Sequence, residues 1–196
     1  MRVAFFGGSF DPVHRGHLAV ATAAANHFSL DTVLFAPTGR QPLKPSGATA
    51  SFEDRLAMVT LACTADARFS PCALDAPRID GKPNYSIDVL TALGAQMPEA
   101  KLFNLVGIDS FLGLPRWHEA ERLMALVEWI IVSRPGFTLD SASLSLSQRA
   151  RIHPLDSVHE DVAATHLRPR LKLGDPCLDL IPTSVSSYIA AHHLYR

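Results

Sequence analysis

A doubly wound α/β fold, with a mostly parallel sheet covered on both faces, is the class this sequence predicts. Three observations carry it. Short apolar runs at residues 3–6, 32–36, 102–106 and 129–132 alternate with stretches of helical periodicity. The glycine-rich turn Gly7-Gly8-Ser9 joins the first run to the first helical pattern. The turn-rich stretches at 37–47, 77–83 and 135–145 separate no two self-sufficient patterns and read as loops. Alternating strands and helices bury their apolar surface best when helices cover both faces of a parallel sheet. The expectation is therefore a single domain over residues 1–196, with its C-terminal helical part, about 156–196, packed on it.

In chain order, the run at 3–6 is the first strand. Leu18, Ala21, Ala25 and Phe28 then recur at spacings that put them on one helix face. The second strand covers 32–36. Ser51 with Asp54 forms a capping pair that opens a helix carrying Leu56, Val59, Leu61 and Ala62. A weaker strand follows at 69–74, then a helix over 86–93 with Gly94 near its end. Strands follow at 102–106 and 129–132. The last helix presents Val185, Tyr188, Ile189 and His192, which leaves His192-His193 as helix residues rather than ligands.

Composition narrows the class. The chain has 47% hydrophobic and 19% charged residues and a net charge of -1, which gives no case for a broad nucleic-acid or membrane surface. No apolar run approaches the ~18 residues of a membrane span. The first residues enter a strand pattern without the charged and apolar regions of a signal peptide, so a cytoplasmic location is expected. Cys63, Cys72 and Cys177 are odd in number and widely spaced, which suggests neither a disulfide framework nor a zinc site. Cys63 and Cys72 read as small buried hydrophobes.

The segment from Gly7 to His17, GGSFDPVHRGH, carries the chemistry. Two glycines allow a sharp turn and a close approach to a ligand. His14 and His17 fall where a helix begins, among amides without internal partners. A strand, a glycine-rich turn and a helix N-terminus together favour an anion, and phosphate is the usual one. Capped surface imidazoles and a shared zinc ion are the other uses of such a pair, but no third metal ligand is evident. Phe10 is expected to anchor the loop, and Asp11 to accept a turn hydrogen bond before Pro12.

GGSFDPVHRGH contains every fixed letter of the signature GGxFDPxHxGH. At this point the chain resembles the nucleotidyltransferases that share the HxGH motif, and within them the nicotinate-mononucleotide adenylyltransferases. The resemblance continues through residues 37–44, Phe52-Glu53-Asp54-Arg55-Leu56-Ala57-Met58, Asn84-Tyr85-Ser86, Gly107-Ile108-Asp109 with Trp117, Ser133-Arg134-Pro135-Gly136, Tyr188-Ile189 and Leu194-Tyr195. It covers nearly the whole chain; residues 137–155 carry little of it.

That resemblance implies a Rossmann-like fold of the nucleotidyltransferase type. It also implies transfer of AMP from ATP to nicotinate mononucleotide, giving deamido-NAD and pyrophosphate. Magnesium would arrive on the ATP phosphates rather than in a protein cage, and the partners would be those two nucleotides, without nucleic acid or membrane. By the same resemblance His14, His17 and Arg168 are catalytic. Gly7, Gly8, Ser9, Phe10, Gly16, Asp109, Arg134 and Thr165 bind ATP, and Lys44, Tyr85, Ser86 and Trp117 bind the mononucleotide.

Plain readings stand beside several of these. Asp109 suits a helix N-cap as well as a ribose, Trp117 a core position as well as a stacking one, and Arg134 a solvated sheet edge. Arg116, His118 and Arg122 read as a solvated basic face.

The chain also departs from the family pattern. Leu43 stands where the family has histidine. The family segment ISSTxIR is here Val162-Ala163-Ala164-Thr165-His166-Leu167-Arg168, so both serines are alanine, and Pro169 disfavours helix at Arg168. A sibling transferase with another phosphate acceptor, or a nucleotide sensor without turnover, remains an alternative at this stage.

Overall fold

The computed structural model describes residues 1–40, 47–134, 136, 144–156 and 164–196. Six strands form one sheet: β1 (Arg2–Gly8), β2 (Thr32–Pro37), β3 (Phe69–Pro71), β4 (Lys101–Gly107), β5 (Glu128–Val132) and β6 (Ile152–Leu155). Their order is β3-β2-β1-β4-β5-β6, and every neighbouring pair is parallel. The chain winds outward from β1 to β3, then crosses back to place β4 on the other side of β1. That reversal opens a crevice at the carboxyl ends of β1 and β4, where ligands bind in sheets of this kind.

Alternation along the strands builds two cores. In β1, Ala4 and Phe6 belong to one apolar cluster and Val3 and Phe5 to the other. The first face is covered by α1 (Arg15–His27), α2 (Phe52–Cys63), α7 (Ala164–Lys172) and α8 (Thr183–Ala191), while the single-turn α6 (Leu146–Arg149) leads into β6. The second is covered by α3 (Ser86–Gln96), α4 (Ile108–Leu112) and α5 (Ala120–Leu126). Because both faces are buried, the strands read as continuous apolar runs.

Three expectations are adjusted. The weak strand at 69–74 is shorter, Phe69–Pro71. The helix α2 buries Arg55, Met58, Val59, Ala62 and Cys63, so Leu56 and Leu61 flank the buried stripe instead of leading it. Pro169 does not end α7, which runs through it from Ala164 to Lys172. Its missing N–H leaves the Thr165 carbonyl without its helical donor, while Leu167 and Leu171 hold the helix on the core.

Cys63, Cys72 and Cys177 are buried and free. His192 caps the end of α8 and His193 lies beyond it, with the His192 ring stacked on Tyr188 at 4.0 Å. No helix among the described residues is long and apolar enough to cross a membrane.

Candidate active site

The loop after β1 is held from below. Phe10 has a left-handed backbone, φ 46, which costs a non-glycine residue about 1–2 kcal/mol. Its ring is 1% exposed, edge-on to Phe6 at 5.5 Å and against Phe35 at 5.6 Å. Burial of such a side chain contributes about 3 kcal/mol, so burial wins over backbone strain. A Cβ on Gly8 would press on this ring at 3.1 Å, so the second glycine makes room for Phe10.

Asp11 departs from expectation. Its carboxylate serves no local turn. It accepts from Thr49 N–H at 2.6 Å, Ala50 N–H at 3.0 Å and the Tyr195 hydroxyl at 2.8 Å, all distant in sequence. Arg55, 2% exposed, donates to the Ser9 carbonyl at 2.8 Å and the Ala50 carbonyl at 3.3 Å. The loop therefore rests on a buried cation and a buried anion.

His14 is the N-cap of α1 and 4% exposed. Its ring stacks on that of His17, centroids 3.7 Å apart. The His14 N–H donates to His17 Nδ1 at 3.2 Å, so the neutral His17 ring carries its proton on Nε2. Burial pushes His14 down to about 4, with the Arg134 charge adding to it. Burial, then His14, then Arg134 push His17 well below the ordinary histidine value. Both imidazoles are neutral N–H donors at neutral pH. Among the described residues His14 Nδ1 is buried without a partner, which leaves a polar atom for a ligand to satisfy.

The helix start is less open than its sequence suggests. Arg15 N–H is taken by the Leu180 carbonyl at 2.7 Å, and His17 N–H turns back to the His14 carbonyl at 3.0 Å. Of these first-turn amides, that of buried Gly16 is the free one among the described residues.

Two arginines approach the same loop. Arg168, on α7, donates Nη1 to the Asp11 carbonyl at 3.0 Å and stands 3.9 Å from its carboxylate. A guanidinium has five donors, so others stay available. Thr165 lies one turn earlier on α7 and is exposed. Arg134 follows β5 and pairs with Asp109 at 3.3 Å. Asp109 is not an N-cap: Gly107 occupies that position of α4, and the Asp109 carboxylate turns to the arginine. Gly7, Gly8, Ser9, Phe10 and Gly16 thus share one crevice edge with His14, His17, Arg134, Asp109 and Arg168.

A second group lies at the amino end of α3. Tyr85 is its N-cap and Ser86 its first residue. The Tyr85 ring lies 4.3 Å from His118, the neighbour of half-buried Trp117, whose ring sits 6.4 Å from Trp129. His118 and Arg122 both stand at the Glu119 carboxylate, at 3.5 and 2.9 Å, and with Arg116 they are exposed, as a solvated face requires. Asp75 lies nearby, 9% exposed, with Asn84 donating to its carboxylate at 3.1 Å. A Cβ on Gly39 would meet the Asp75 carbonyl at 2.5 Å, so only glycine fits that close approach. Lys44, together with Leu43 and Ala163, lies outside the described residues.

Sequence reasoning assigned no site role to Arg55, Tyr195, His118 or Asp75. Arg55 and Tyr195 both fall in segments that carry the resemblance, and the spacing 55, 58, 59, 62 places Arg55 on the buried stripe of α2. Among the described residues no group of three or more His, Cys, Asp or Glu is placed to hold a metal ion.

A family model described as cytidylyltransferase-like matches residues 5–173. A relative named probable nicotinate-nucleotide adenylyltransferase, from Roseiflexus castenholzii, is 40% identical over 198 residues, covering 100% of this chain and 98% of its own. One of the same name from Leifsonia xyli subsp. xyli is 38% identical over 195 residues, covering 100% and 94%. The solved structure of Plasmodium falciparum nicotinic acid mononucleotide adenylyltransferase complexed with NaAD matches with a TM-score of 0.79 at 18% identity, over 99% of this chain and 97% of that one. That likeness speaks for the fold. Together with the β1 loop and its paired imidazoles, the full-length relatives establish that this chain belongs to the nicotinate-nucleotide adenylyltransferase family.

Proposed function

We propose that this protein transfers AMP from ATP to nicotinate mononucleotide, releasing pyrophosphate and forming deamido-NAD. A phosphate oxygen of the mononucleotide attacks the α-phosphorus of ATP. The bond from that phosphorus to the bridging oxygen of the β-phosphate breaks, and pyrophosphate leaves with the electron pair. The attacking phosphate is already ionised at neutral pH, so the reaction needs no general base. Positioning and charge stabilisation supply the acceleration.

The observation that carries this reading is the stacked His14–His17 pair, kept neutral by burial and by Arg134. With Nδ1 filled by the His14 amide, His17 offers Nε2–H to the α-phosphate. His14 and the Gly16 amide serve the adjoining phosphates. Arg168 and Thr165 reach the β- and γ-phosphates from α7, and Arg134 approaches from β5. Asp109 accepts from ribose hydroxyls once ATP separates it from Arg134. The loop residues Gly7, Gly8, Ser9 and Phe10 give the nucleotide its floor.

Trp117 stacks on the nicotinate ring, with Tyr85, Ser86 and Lys44 around the mononucleotide. Magnesium enters on the ATP phosphates, as part of the substrate. The chain acts as one catalytic domain in the cytoplasm, and the C-terminal part, about 156–196, belongs to it because Arg168 and Tyr195 both hold Asp11.

Purified protein given ATP, magnesium and nicotinate mononucleotide should release pyrophosphate and accumulate deamido-NAD. Pyrophosphate release with a different phosphate acceptor, and none with nicotinate mononucleotide, would refute the substrate assignment.

A further inference from the structure

Asp11 joins four separate parts of the chain. Its buried carboxylate takes two amides from the segment before α2, from Thr49 and Ala50, and a third hydrogen bond from Tyr195. Its carbonyl is where Arg168 docks, at 3.0 Å. The two amides already compensate the carboxylate, so the phenol is not needed to make burial of that charge tolerable. Tyr195 nevertheless adopts a left-handed backbone, φ 64, and is 8% exposed. A strained backbone at a buried, hydrogen-bonded side chain points to a function for the contact.

We propose that Tyr195 is a positioning residue for adenylyl transfer: its hydroxyl holds Asp11 so that the Asp11 carbonyl aims Arg168 at the phosphates served by His14 and His17. This inference rests on the function proposed above. The loop has two carbonyls with arginine donors, Ser9 with Arg55 and Asp11 with Arg168. Arg55 is sealed in the core, whereas the Arg168 side chain is 30% exposed and free to turn unless its anchor is fixed. Burial and the Asp11 charge push the phenol well above its ordinary value, so it remains a donor across the working pH range. Freezing an arginine in its bound orientation lowers the ordering cost that a ligand must otherwise meet.

The test is a double-mutant cycle on ATP binding, read by calorimetry with α,β-methylene-ATP and magnesium. Tyr195→Phe keeps the ring and removes the hydroxyl. It should weaken binding of the analogue about 10-fold. Affinity for nicotinate mononucleotide should stay within about two-fold. In an Arg168→Ala background the same change should alter analogue binding by less than about two-fold, because the residue it acts through is gone.

Equal losses in both backgrounds would overturn the proposal. So would parallel losses for both nucleotides, or a lower melting temperature with affinities unchanged, since these describe a merely structural tie. Absence of analogue binding by the unaltered protein would instead remove the proposed function, and this inference with it.

Discussion

The backbone N–H of His14 points at Nδ1 of His17, 3.2 Å away, and that contact decides which edge of the second imidazole meets a ligand. One residue fixes the tautomer of its neighbour while stacking on its ring. His17→Ala removes the Nε2–H donor. It should lower kcat about 100- to 1,000-fold, the usual cost of one preorganised donor at a reacting centre. His17→Asn, which keeps an N–H donor, should recover part of that loss. Steady-state pyrophosphate release measures both, and a full-rate Ala variant would contradict the assigned role.

Trp117 is assigned to the nicotinate ring. Trp117→Ala should raise KM for the mononucleotide about 10-fold and leave kcat nearly unchanged, as loss of uniform binding does. A fall in kcat at constant KM would place the indole in the chemical step or in the core instead.

Arg55 is a buried cation whose hydrogen bonds go to two carbonyls of the loop region. Arg55→Met fills the space but leaves both carbonyls without their donor. The expected destabilisation is about 3 kcal/mol, the scale for breaking a buried charged network. For a chain of this length that lowers the melting temperature by about 10 °C. Calorimetry with and without ATP should show the loss before any substrate is added.

His14 and Asp75 pull the acid response in opposite directions. His14 falls from 6.5 to about 4, so between those values the unfolded chain binds a proton that the folded one refuses. Its contribution therefore declines as the pH drops through that window. Burial lifts Asp75 from 3.8 to about 6, so here the folded chain holds the extra proton and gains stability over the same descent. Asp75→Asn deletes the second contribution. Between pH 6 and 4 the variant should lose about 2 kcal/mol more than the parent, read from urea midpoints at each pH. Parallel curves would show that Asp75 does not titrate there.

What the sequence made legible follows from range. The strands β1, β2, β4 and β5 are apolar on both faces and stood out as runs. β6, Ile-His-Pro-Leu, did not: it lies at the sheet edge, the place where a strand proline is tolerated, and edge strands need no continuous apolar run. His14 and His17 were visible because a helix start is a local event. Asp11 looked like a turn residue because local partners are all that short-range reasoning can offer, while its actual donors lie 38, 39 and 184 positions away. His118 likewise needed the fold, since only the packing of α3 against α5 brings it onto Tyr85.

The order β1-β4-β5 gives the site a ruler. The imidazoles hang from the first of these strands and Arg134 from the third, so two ladder steps, roughly 10 Å, separate their roots. Main-chain pairing, which no side-chain substitution rewrites, sets that gauge. Descendants of this architecture can exchange the loops that choose an acceptor while the distance between the neutral imidazoles and the guanidinium stays the same.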